Sequence, residues 1–172
     1  MDLLKEVRVI PDFPKKGIQF FDVTTVLSNP EAFRCAADLM AQAVENMPCD
    51  VIAGLEARGF LFASPVAYKL GKSLVPVRKK GKLPYKTVSQ SYGLEYGEDV
   101  LEMHSDAVKP GQNVVIIDDL LATGGTTQAT VELIEKLGGR VTGIVCLIEL
   151  IDLGGREKLS VDNIVSLIKT TE

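Results

Sequence analysis

The sequence predicts an α/β fold with a mostly parallel, twisted sheet flanked by helices. Short runs of β-branched and apolar residues alternate along the chain with helical apolar patterns, as in βα units of one sheet. Glycine or proline lies at many of the junctions, which favours separate short elements. The clearest strand, 113–117, leads through two carboxylates and a stretch of small residues into a helical pattern. This order is typical of a right-handed parallel arrangement.

The first half of the chain contains three helical and two strand patterns. A short helix over residues 3–9 is predicted to end before Pro11. A second helix is predicted to start at Ser28, because Ser28 and Glu31 have the spacing of a capping box and Pro30 suits a first turn. The remaining predicted elements are a strand over 51–55, a helix over 58–70 ended by Gly71, and a strand over 73–78.

The second half begins with a long polar segment and then returns to alternating elements. Residues 79–98 combine several lysines with Gly, Pro, Ser and Tyr, which predicts a functional loop or disorder in this part of the chain. The predicted elements after it are a strand over 99–104, a turn over 109–112, a strand over 113–117, a helix over 125–137, and strands over 140–150 and 163–169.

The stretch from 114 to 127 indicates a site for a phosphorylated sugar. Residues 122–126 have no bulky side chain, so a phosphate can approach the backbone, and the N–H groups of the following helix attract its charge. Asp118 and Asp119 suit a ribose diol and can help to hold Mg²⁺. The P-loop lysine and the three glycines of a dinucleotide fingerprint are missing from the stretch. An ordinary turn, bent by Gly and capped by Thr, does not explain two acids after an apolar strand.

Other polar residues follow neighbouring predicted strands. Glu56 and Arg58 come after strand 51–55, and Arg78 and Lys79 come at the end of strand 73–78. Ligands of such sheets bind beyond the carboxyl ends of the strands, so we expect these residues to share one edge with Asp118 and Asp119. Gly54 and Gly59 flank Arg58, and their small size favours close approach of a ligand.

Composition predicts one domain over residues 1–172 and excludes several classes of protein. A net charge of −4 argues against a general binder of nucleic acids or membrane surfaces. The three cysteines are widely spaced and form no metal-binding pattern, which fits a reducing compartment. With no signal-peptide pattern and no apolar run long enough for a membrane span, we expect a cytoplasmic protein. We expect the only histidine, His104, to be an exposed residue after a strand.

Seven blocks of sequence resemble the type I phosphoribosyltransferases, and in particular their adenine-using members. They occur in that family's order and cover nearly the whole chain: Asp12-Phe13-Pro14, Phe20-Phe21-Asp22-Val23-Thr24, the block 53–62, the block 78–84, the block 91–97, the run 114–127 and Gly155-Arg156-Glu157-Lys158-Leu159. The resemblance implies a type I phosphoribosyltransferase fold. Residues of about 1–27 would form a small hood that binds the base, and about 79–98 a mobile active-site loop.

The resemblance also implies a reaction, which is transfer of the 5-phosphoribosyl group from phosphoribosyl pyrophosphate (PRPP) to adenine, giving AMP and pyrophosphate. Mg²⁺ would enter with PRPP, without dedicated protein ligands or an organic cofactor, and the protein would be a homodimer. The implied phosphate-binding residues are Ala122, Thr123, Gly124, Gly125 and Thr126, and the implied pyrophosphate ligands are Arg58, Arg78, Lys79 and Lys82.

The implied catalytic residues are Asp118 and Asp119 at the ribose and Glu95 near the purine ring, with Tyr96 closing the loop. Gln19, Phe20, Phe21 and Ala122 would contact the base. Phe21 stands where many family members carry a basic residue, and Gln19 where an aliphatic residue is common. Base preference is retained if these positions act through main-chain atoms. The alternatives are transfer to another base, such as xanthine, guanine or orotate, a regulator that binds PRPP without catalysis, and an unrelated nucleotide-binding α/β protein.

Overall fold

The structure is a computed structural model that describes residues 1–94 and 97–171. The described residues form nine strands and four α-helices. The strands are β1 (Arg8–Ile10), β2 (Phe20–Asp22), β3 (Val51–Leu55), β4 (Ser73–Lys79), β5 (Thr87–Leu94), β6 (Gly97–His104), β7 (Asn113–Leu121), β8 (Arg140–Leu150) and β9 (Ile164–Thr170). The helices are α1 (Thr24–Ser28), α2 (Pro30–Glu45), α3 (Gly59–Leu70) and α4 (Gly125–Lys136).

Seven of the strands form one sheet in the order β5-β6-β4-β3-β7-β8-β9. Five neighbouring strands of this sheet pair in parallel, namely β4, β3, β7, β8 and β9. The hairpin β5–β6 joins β4 antiparallel at one edge. The first two strands make a separate antiparallel pair. The predicted α/β fold with a mostly parallel sheet is therefore confirmed.

Helices cover both faces of the sheet, which explains why its central strands are apolar along their whole length. On one face, α2 and α3 pack over a core that includes Met40, Phe62 and Val115. On the other face, α4 packs over a second core that includes Ile116 and Ile134. Val115 and Ile116 are neighbours on β7, and they enter different cores because successive side chains of a strand point to opposite faces.

Strand β7 is longer than the sequence predicts. It continues through Asp118 and Asp119 to Leu121, so both carboxylates lie within the paired strand and not after it. Strand β8 lies beside β7 over this stretch and pairs Asp118 with Cys146 and Leu121 with Glu149. The continued pairing holds the backbone of the two acids between strands.

Two expectations for the amino-terminal part are wrong. Residues 3–6 form a short 3-10 helix, and Arg8–Ile10 is a strand, in place of one helix over 3–9. Helix α2 has Pro30 in its first turn as predicted, but it begins at Pro30 and its cap is Asn29, whose side-chain oxygen accepts from the N–H groups of Glu31 and Ala32. Ser28 ends the preceding helix α1 and donates to the carbonyl of Thr25.

Much of segment 79–98 is paired, contrary to the expectation of one irregular polar loop. Residues 87–94 pair with 97–104 as the hairpin β5–β6. His104 is the last residue of β6 and is partly buried, and its Nε2 accepts from the N–H of Tyr85 at 3.4 Å. In the part of the chain that the structure describes, we find no helix with the length and apolarity needed to cross a membrane.

Candidate active site

A polar pocket of about 260 Å³ opens at the carboxyl edge of the parallel strands. Three chain segments line it, namely 56–58 after β3, 118–120 of β7, and 122–127 at the start of α4. It therefore brings together the carboxylate pair, Arg58 and most of the small-residue loop, as strand direction predicts. The lining residues are Glu56, Ala57, Arg58, Asp118, Asp119, Leu120, Ala122, Thr123, Gly124, Thr126 and Thr127.

The two carboxylates of the pocket differ in their surroundings. Asp119 is 5% exposed, and its Oδ2 lies 2.8 Å from Nε of Arg58 as an ion pair. That contact does not have the geometry of a hydrogen bond, so this buried oxygen retains unused hydrogen-bonding capacity. Asp118 accepts the N–H of Asp119 at 2.9 Å. Burial and, secondarily, the adjacent Asp119 carboxylate raise the pKa of Asp118 well above its ordinary value.

This raised pKa predicts a stability effect of one substitution. Because the folded pKa of Asp118 is raised, the folded state favours a bound proton, and stability falls as the pH rises above the ordinary value of 3.8 toward the folded pKa. An asparagine at this position cannot titrate, so we expect Asp118→Asn to gain stability relative to the wild type between about pH 4 and pH 7. Urea unfolding of both proteins across this range measures the difference.

The exposed carboxylate Asp106 supplies the control for this experiment. Asp106→Asn removes the same charge at a distance from the pocket, and we expect its stability to follow that of the wild type across the pH range. A stability difference between Asp118→Asn and wild type that stays constant from about pH 4 to pH 7 would contradict a raised pKa.

The loop before α4 presents backbone N–H groups to the pocket. Gly124 has φ +83°, a conformation that residues with a side chain rarely adopt, and it directly precedes the helix. No side chain among the described residues caps this helix end. The first N–H groups of α4 are therefore available to an anion, and the helix dipole favours negative charge there. Thr123 and Thr126 are exposed beside these groups.

A second turn lies directly behind this loop, and the sequence reasoning assigned it no role. Gly155 packs its backbone against Ala122 and Gly124, and a Cβ at Gly155 would overlap the carbonyl oxygen of Ala122. In the other direction, a Cβ at Gly124 would meet the carbonyl oxygen of Gly155 at 2.7 Å. The two backbones are thus in contact. The resemblance of block 155–159 was the only sequence signal for this turn.

Arg58 joins the carboxylate pair to the amino-terminal segment. Besides its ion pair with Asp119, it donates from Nη1 to the carbonyl of Phe21 at 3.3 Å, and its guanidinium lies 5.0 Å from the centre of the Phe20 ring. Phe21 itself is 4% exposed and belongs to the core. Its side chain therefore faces away from the pocket, and its main chain faces Arg58. Gln19 is exposed.

Gly54 and Gly59 have a different role from the one expected. A Cβ at Gly54 would lie 2.9 Å from Cβ of Ala63, so this glycine allows α3 to pack closely on β3. A Cβ at Gly59 would lie 2.7 Å from Oδ1 of Asp118. Both glycines make room for protein atoms, and Gly59 makes room for one of the two carboxylates.

Glu56 contacts basic residues at the end of β4 and just after it, a role that sequence reasoning did not find. Its carboxylate lies 3.5 Å from Nε of Arg78 and 3.5 Å from Nζ of Lys82, and it accepts the N–H of Lys79. The Glu56 side chain is 8% exposed. Nζ of Lys79 lies 4.0 Å from Asp99. Glu56 lines the pocket, so the basic side chains that it contacts lie beside the pocket.

The expected residues Glu95 and Tyr96 lie outside the described residues. The strands next to them are close to the small-residue loop. The Tyr92 ring lies 3.5 Å from the position of a Cβ at Gly125, and Lys136 of α4 donates to the carbonyl of Ser89 at 2.7 Å. Burial, followed by the charge of Asp99, raises the pKa of Tyr92 to about 12. Tyr92 is therefore neutral at physiological pH and donates to Asp99 at 3.3 Å.

Comparison with known proteins yields a family match and close relatives. Residues 22–171 match the model of the phosphoribosyl transferase domain. The chain is 57% identical over 170 residues to the adenine phosphoribosyltransferase of Acetivibrio thermocellus, covering 98% of this chain and 99% of that protein. It is 58% identical to the protein of the same name from Ruminiclostridium cellulolyticum, also over 98% of this chain and 99% of the relative.

Solved structures of adenine phosphoribosyltransferases are similar over nearly the whole chain. The structure from Thermoanaerobacter pseudethanolicus has a TM-score of 0.95 at 55% identity and covers 98% of each chain. The one from Saccharomyces cerevisiae, solved with an imino-altritol bisphosphate and adenine, has a TM-score of 0.90 at 38% identity, with 96% of each chain covered.

Proposed function

The chain belongs to the phosphoribosyl transferase family, and we propose that it acts as an adenine phosphoribosyltransferase in purine salvage. The observation that carries this proposal is the pocket in which an uncapped helix start, a carboxylate pair and an arginine meet at one edge of the sheet. These groups suit a phosphate, a ribose diol and a further anion. Relatives more than half identical over 98% of the chain bear the name of this activity.

The proposed reaction breaks the bond between ribose C1 and pyrophosphate and forms a bond between C1 and a ring nitrogen of adenine. The electron pair of the broken bond leaves with pyrophosphate, and the new bond uses a lone pair of the purine, which loses a proton. Positive charge develops on the sugar in the transition state. The site therefore has to stabilise that charge, hold a highly charged leaving group and exclude water.

We assign the 5′-phosphate to loop 122–126. The backbone N–H groups of this loop and the start of α4 supply donors, and the exposed hydroxyls of Thr123 and Thr126 add two more. Asp118 and Asp119 then face the ribose hydroxyls. The Asp119 oxygen that lacks a hydrogen bond suits a hydroxyl donor, and negative charge beside the sugar favours an oxocarbenium-like transition state.

We assign pyrophosphate to Arg58, Arg78, Lys79 and Lys82. The contacts of Glu56 with Arg78 and Lys82 support this assignment, because they keep two cations at the pocket with one carboxylate as their counter-ion. A leaving group with several negative charges offers these cations a stronger partner than a single carboxylate. Arg58 is bonded toward Asp119 and Phe21, so it connects the leaving-group side of the site with the base side.

We assign adenine to Gln19, Phe20, Phe21 and Ala122. The Phe20 ring is partly exposed beside Arg58 and is available for contact with a purine. Phe21 has a buried side chain, so any contact it makes with the base uses main-chain atoms, which keeps adenine preference compatible with phenylalanine here. From the family resemblance we propose Glu95 as the residue that manages the purine proton and Tyr96 as the residue that covers the closed site.

The metal and the assembly are also proposals. Mg²⁺ suits this donor set because it prefers oxygen ligands, and the pocket has two carboxylates. Asp119 is already paired with Arg58, which fits a cation that arrives bound to PRPP oxygens better than a cage of protein ligands. When bound, Mg²⁺ neutralises charge on pyrophosphate. We further propose one domain over 1–172, with residues 1–27 as a hood over the base, a homodimer and a cytoplasmic location.

The proposed activity is tested by incubating the protein with Mg²⁺, PRPP and each purine base, and by measuring nucleotide and pyrophosphate. We expect AMP with adenine and stoichiometric pyrophosphate. Product with xanthine or guanine and none with adenine would assign another base. PRPP binding without product for any base would instead favour a non-catalytic regulator.

The segment from 79 to 98 allows a separate prediction. If its basic residues bind pyrophosphate, PRPP with Mg²⁺ should slow tryptic cleavage at the exposed Lys80, Lys82 and Lys86 by several-fold, because cleavage requires the segment to leave its ligand. Cleavage at Lys72, which is exposed between α3 and the start of β4, serves as the control and should not change. Peptide mapping by mass spectrometry measures both rates, and equal slowing at all four lysines would show a general effect of the ligand.

A further inference from the structure

The turn behind the phosphate loop is held by a charged network that the proposed reaction does not use. Gly155 leaves no free space against the backbone of Ala122 and Gly124, so a displacement of either segment moves the other. The loop itself has no side-chain cap at the start of α4 among the described residues. Its shape therefore depends on the backbone that packs behind it.

The network consists of the next residue, Arg156, and of groups on β8 and β9. Arg156 donates to both carboxylate oxygens of Glu149, from Nε at 2.8 Å and from Nη2 at 2.6 Å. It also donates to the carbonyl of Ile164 at 2.9 Å and to the hydroxyl of Ser166 at 3.1 Å. Ser166 in turn donates to Glu149. A guanidinium bonded in this way has a fixed orientation, and so has the residue that carries it.

The position of Glu149 connects this network to the carboxylate strand. Glu149 is 4% exposed and pairs in register with Leu121, the last residue of β7 before the loop. Hydrogen bonds from Arg156, with a smaller contribution from Ser166, lower the pKa of Glu149, so its charge persists at physiological pH. The pairing of Leu121 with Glu149 and the contact of Glu149 with Arg156 thus connect the start of the loop to the turn behind it.

We propose that Arg156 and Glu149 are positioning residues for the phosphate subsite. They hold Gly155 against residues 122–124 and so keep the loop N–H groups aimed at the 5′-phosphate. This inference rests on the proposed function, because it concerns the subsite that we assign to the phosphate of PRPP. It adds that two residues outside the pocket lining, Arg156 and Glu149, determine how tightly the phosphate is bound.

The test uses Arg156→Lys, which keeps the charge but loses the two-pronged contact with Glu149, and Arg156→Met, which loses both. A misplaced loop should weaken PRPP binding by about tenfold in Arg156→Lys and further in Arg156→Met, since small displacements of positioning groups are costly. The KM for adenine should not change. Calorimetric titration with PRPP and Mg²⁺, at a temperature where each variant is folded, measures the affinity.

A matched control lies at the other end of β8, the strand that carries Glu149. Arg140 donates from Nε and Nη2 to one side-chain oxygen of Asn113, at 3.2 and 3.0 Å, and it lies far from the loop along β8. Arg140→Lys removes a comparable contact, and we expect its PRPP affinity to equal that of the wild type. Ser166→Ala is a milder variant of the network itself, with an expected intermediate loss.

Hydrogen exchange of the loop is a second readout that requires no ligand. Amides of residues 120–126 should exchange faster in the Arg156 variants than in the wild type or in Arg140→Lys, while amides of β3 should not. Unchanged exchange together with wild-type PRPP affinity would overturn the inference, as would equal losses in Arg140→Lys. A wild-type protein that binds no PRPP would overturn the proposed function instead, and loop exchange would then decide the positioning role alone.

Discussion

Replacing both Asp118 and Asp119 by asparagine should lower kcat/KM on the order of a hundredfold while the protein remains folded. Loss of charge beside the developing oxocarbenium ion removes about 3 kcal/mol of transition-state stabilisation. The fold should survive because both backbones are paired within β7 and asparagine has nearly the same size as aspartate. Steady-state kinetics with adenine and PRPP, together with thermal unfolding, measure the two effects.

The charge change in this variant requires its own control. Asp106 and Asp162 are exposed and lie outside the pocket lining, so replacing both by asparagine removes the same number of carboxyl groups without touching the site. We expect that control to retain wild-type kinetics. A folded Asp118→Asn, Asp119→Asn variant with near-normal kcat/KM would falsify the assignment of these carboxylates to the ribose.

Gly155→Ala should weaken PRPP binding on the order of a hundredfold, because the added methyl group would overlap the carbonyl oxygen of Ala122. Flexible side-chain ends can move away from such a clash, but here the obstacle is backbone of the phosphate loop. The loop therefore has to shift, and its N–H groups no longer point at the site proposed for the 5′-phosphate. Titration with PRPP and Mg²⁺ measures the loss.

Gly139→Ala provides a matched control for the added methyl group. A Cβ at Gly139 would lie 2.7 Å from Cγ1 of Val108, outside the pocket lining, and neither Gly139 nor Gly155 is among the glycines with positive φ. We expect Gly139→Ala to lower stability but to bind PRPP as the wild type does. If Gly155→Ala and Gly139→Ala bind equally well, the turn around Gly155 does not determine the shape of the loop.

Sequence reasoning placed residues at one pocket where these residues are adjacent in the chain. Asp118, Asp119 and loop 122–126 lie in one continuous run, so their order along a strand, a loop and a helix predicts a site directly. The βα alternation also placed Arg58 and Arg78 at the same edge of the sheet. Strand direction alone carries that prediction, and it requires no side-chain geometry.

The contacts that sequence reasoning missed join residues that are far apart in the chain. Glu56 meets Lys82 only because the segment after β4 returns to the end of β3. Glu149 and Arg156 are on elements with no composition signal for a site, and their contact depends on the turn that begins at Ile151. Glycines were misassigned for the same reason, since a sequence does not show whether Gly59 makes room for a ligand or for Asp118.

Strand β5 was missed for a different physical reason, whereas most of β6 was predicted as the strand 99–104. Strand β5 is polar along much of its length, so alternation of apolar residues gives only a weak signal, and lysine-rich composition before it favoured a loop. Its pairing is satisfied mainly by β6, within one antiparallel ladder. A strand that is held by local pairing of this kind can form with little apolar burial.

The order of strands in the sheet also predicts that β7 and β5 differ in their resistance to local unfolding. Strand β7 lies between β3 and β8 with buried residues on both faces, whereas β5 is an edge strand. Amides of central strands usually exchange only when the whole domain opens, and edges open at lower free energy. Near the melting temperature, the hairpin should therefore detach from the sheet while β7 is still paired with β3 and β8.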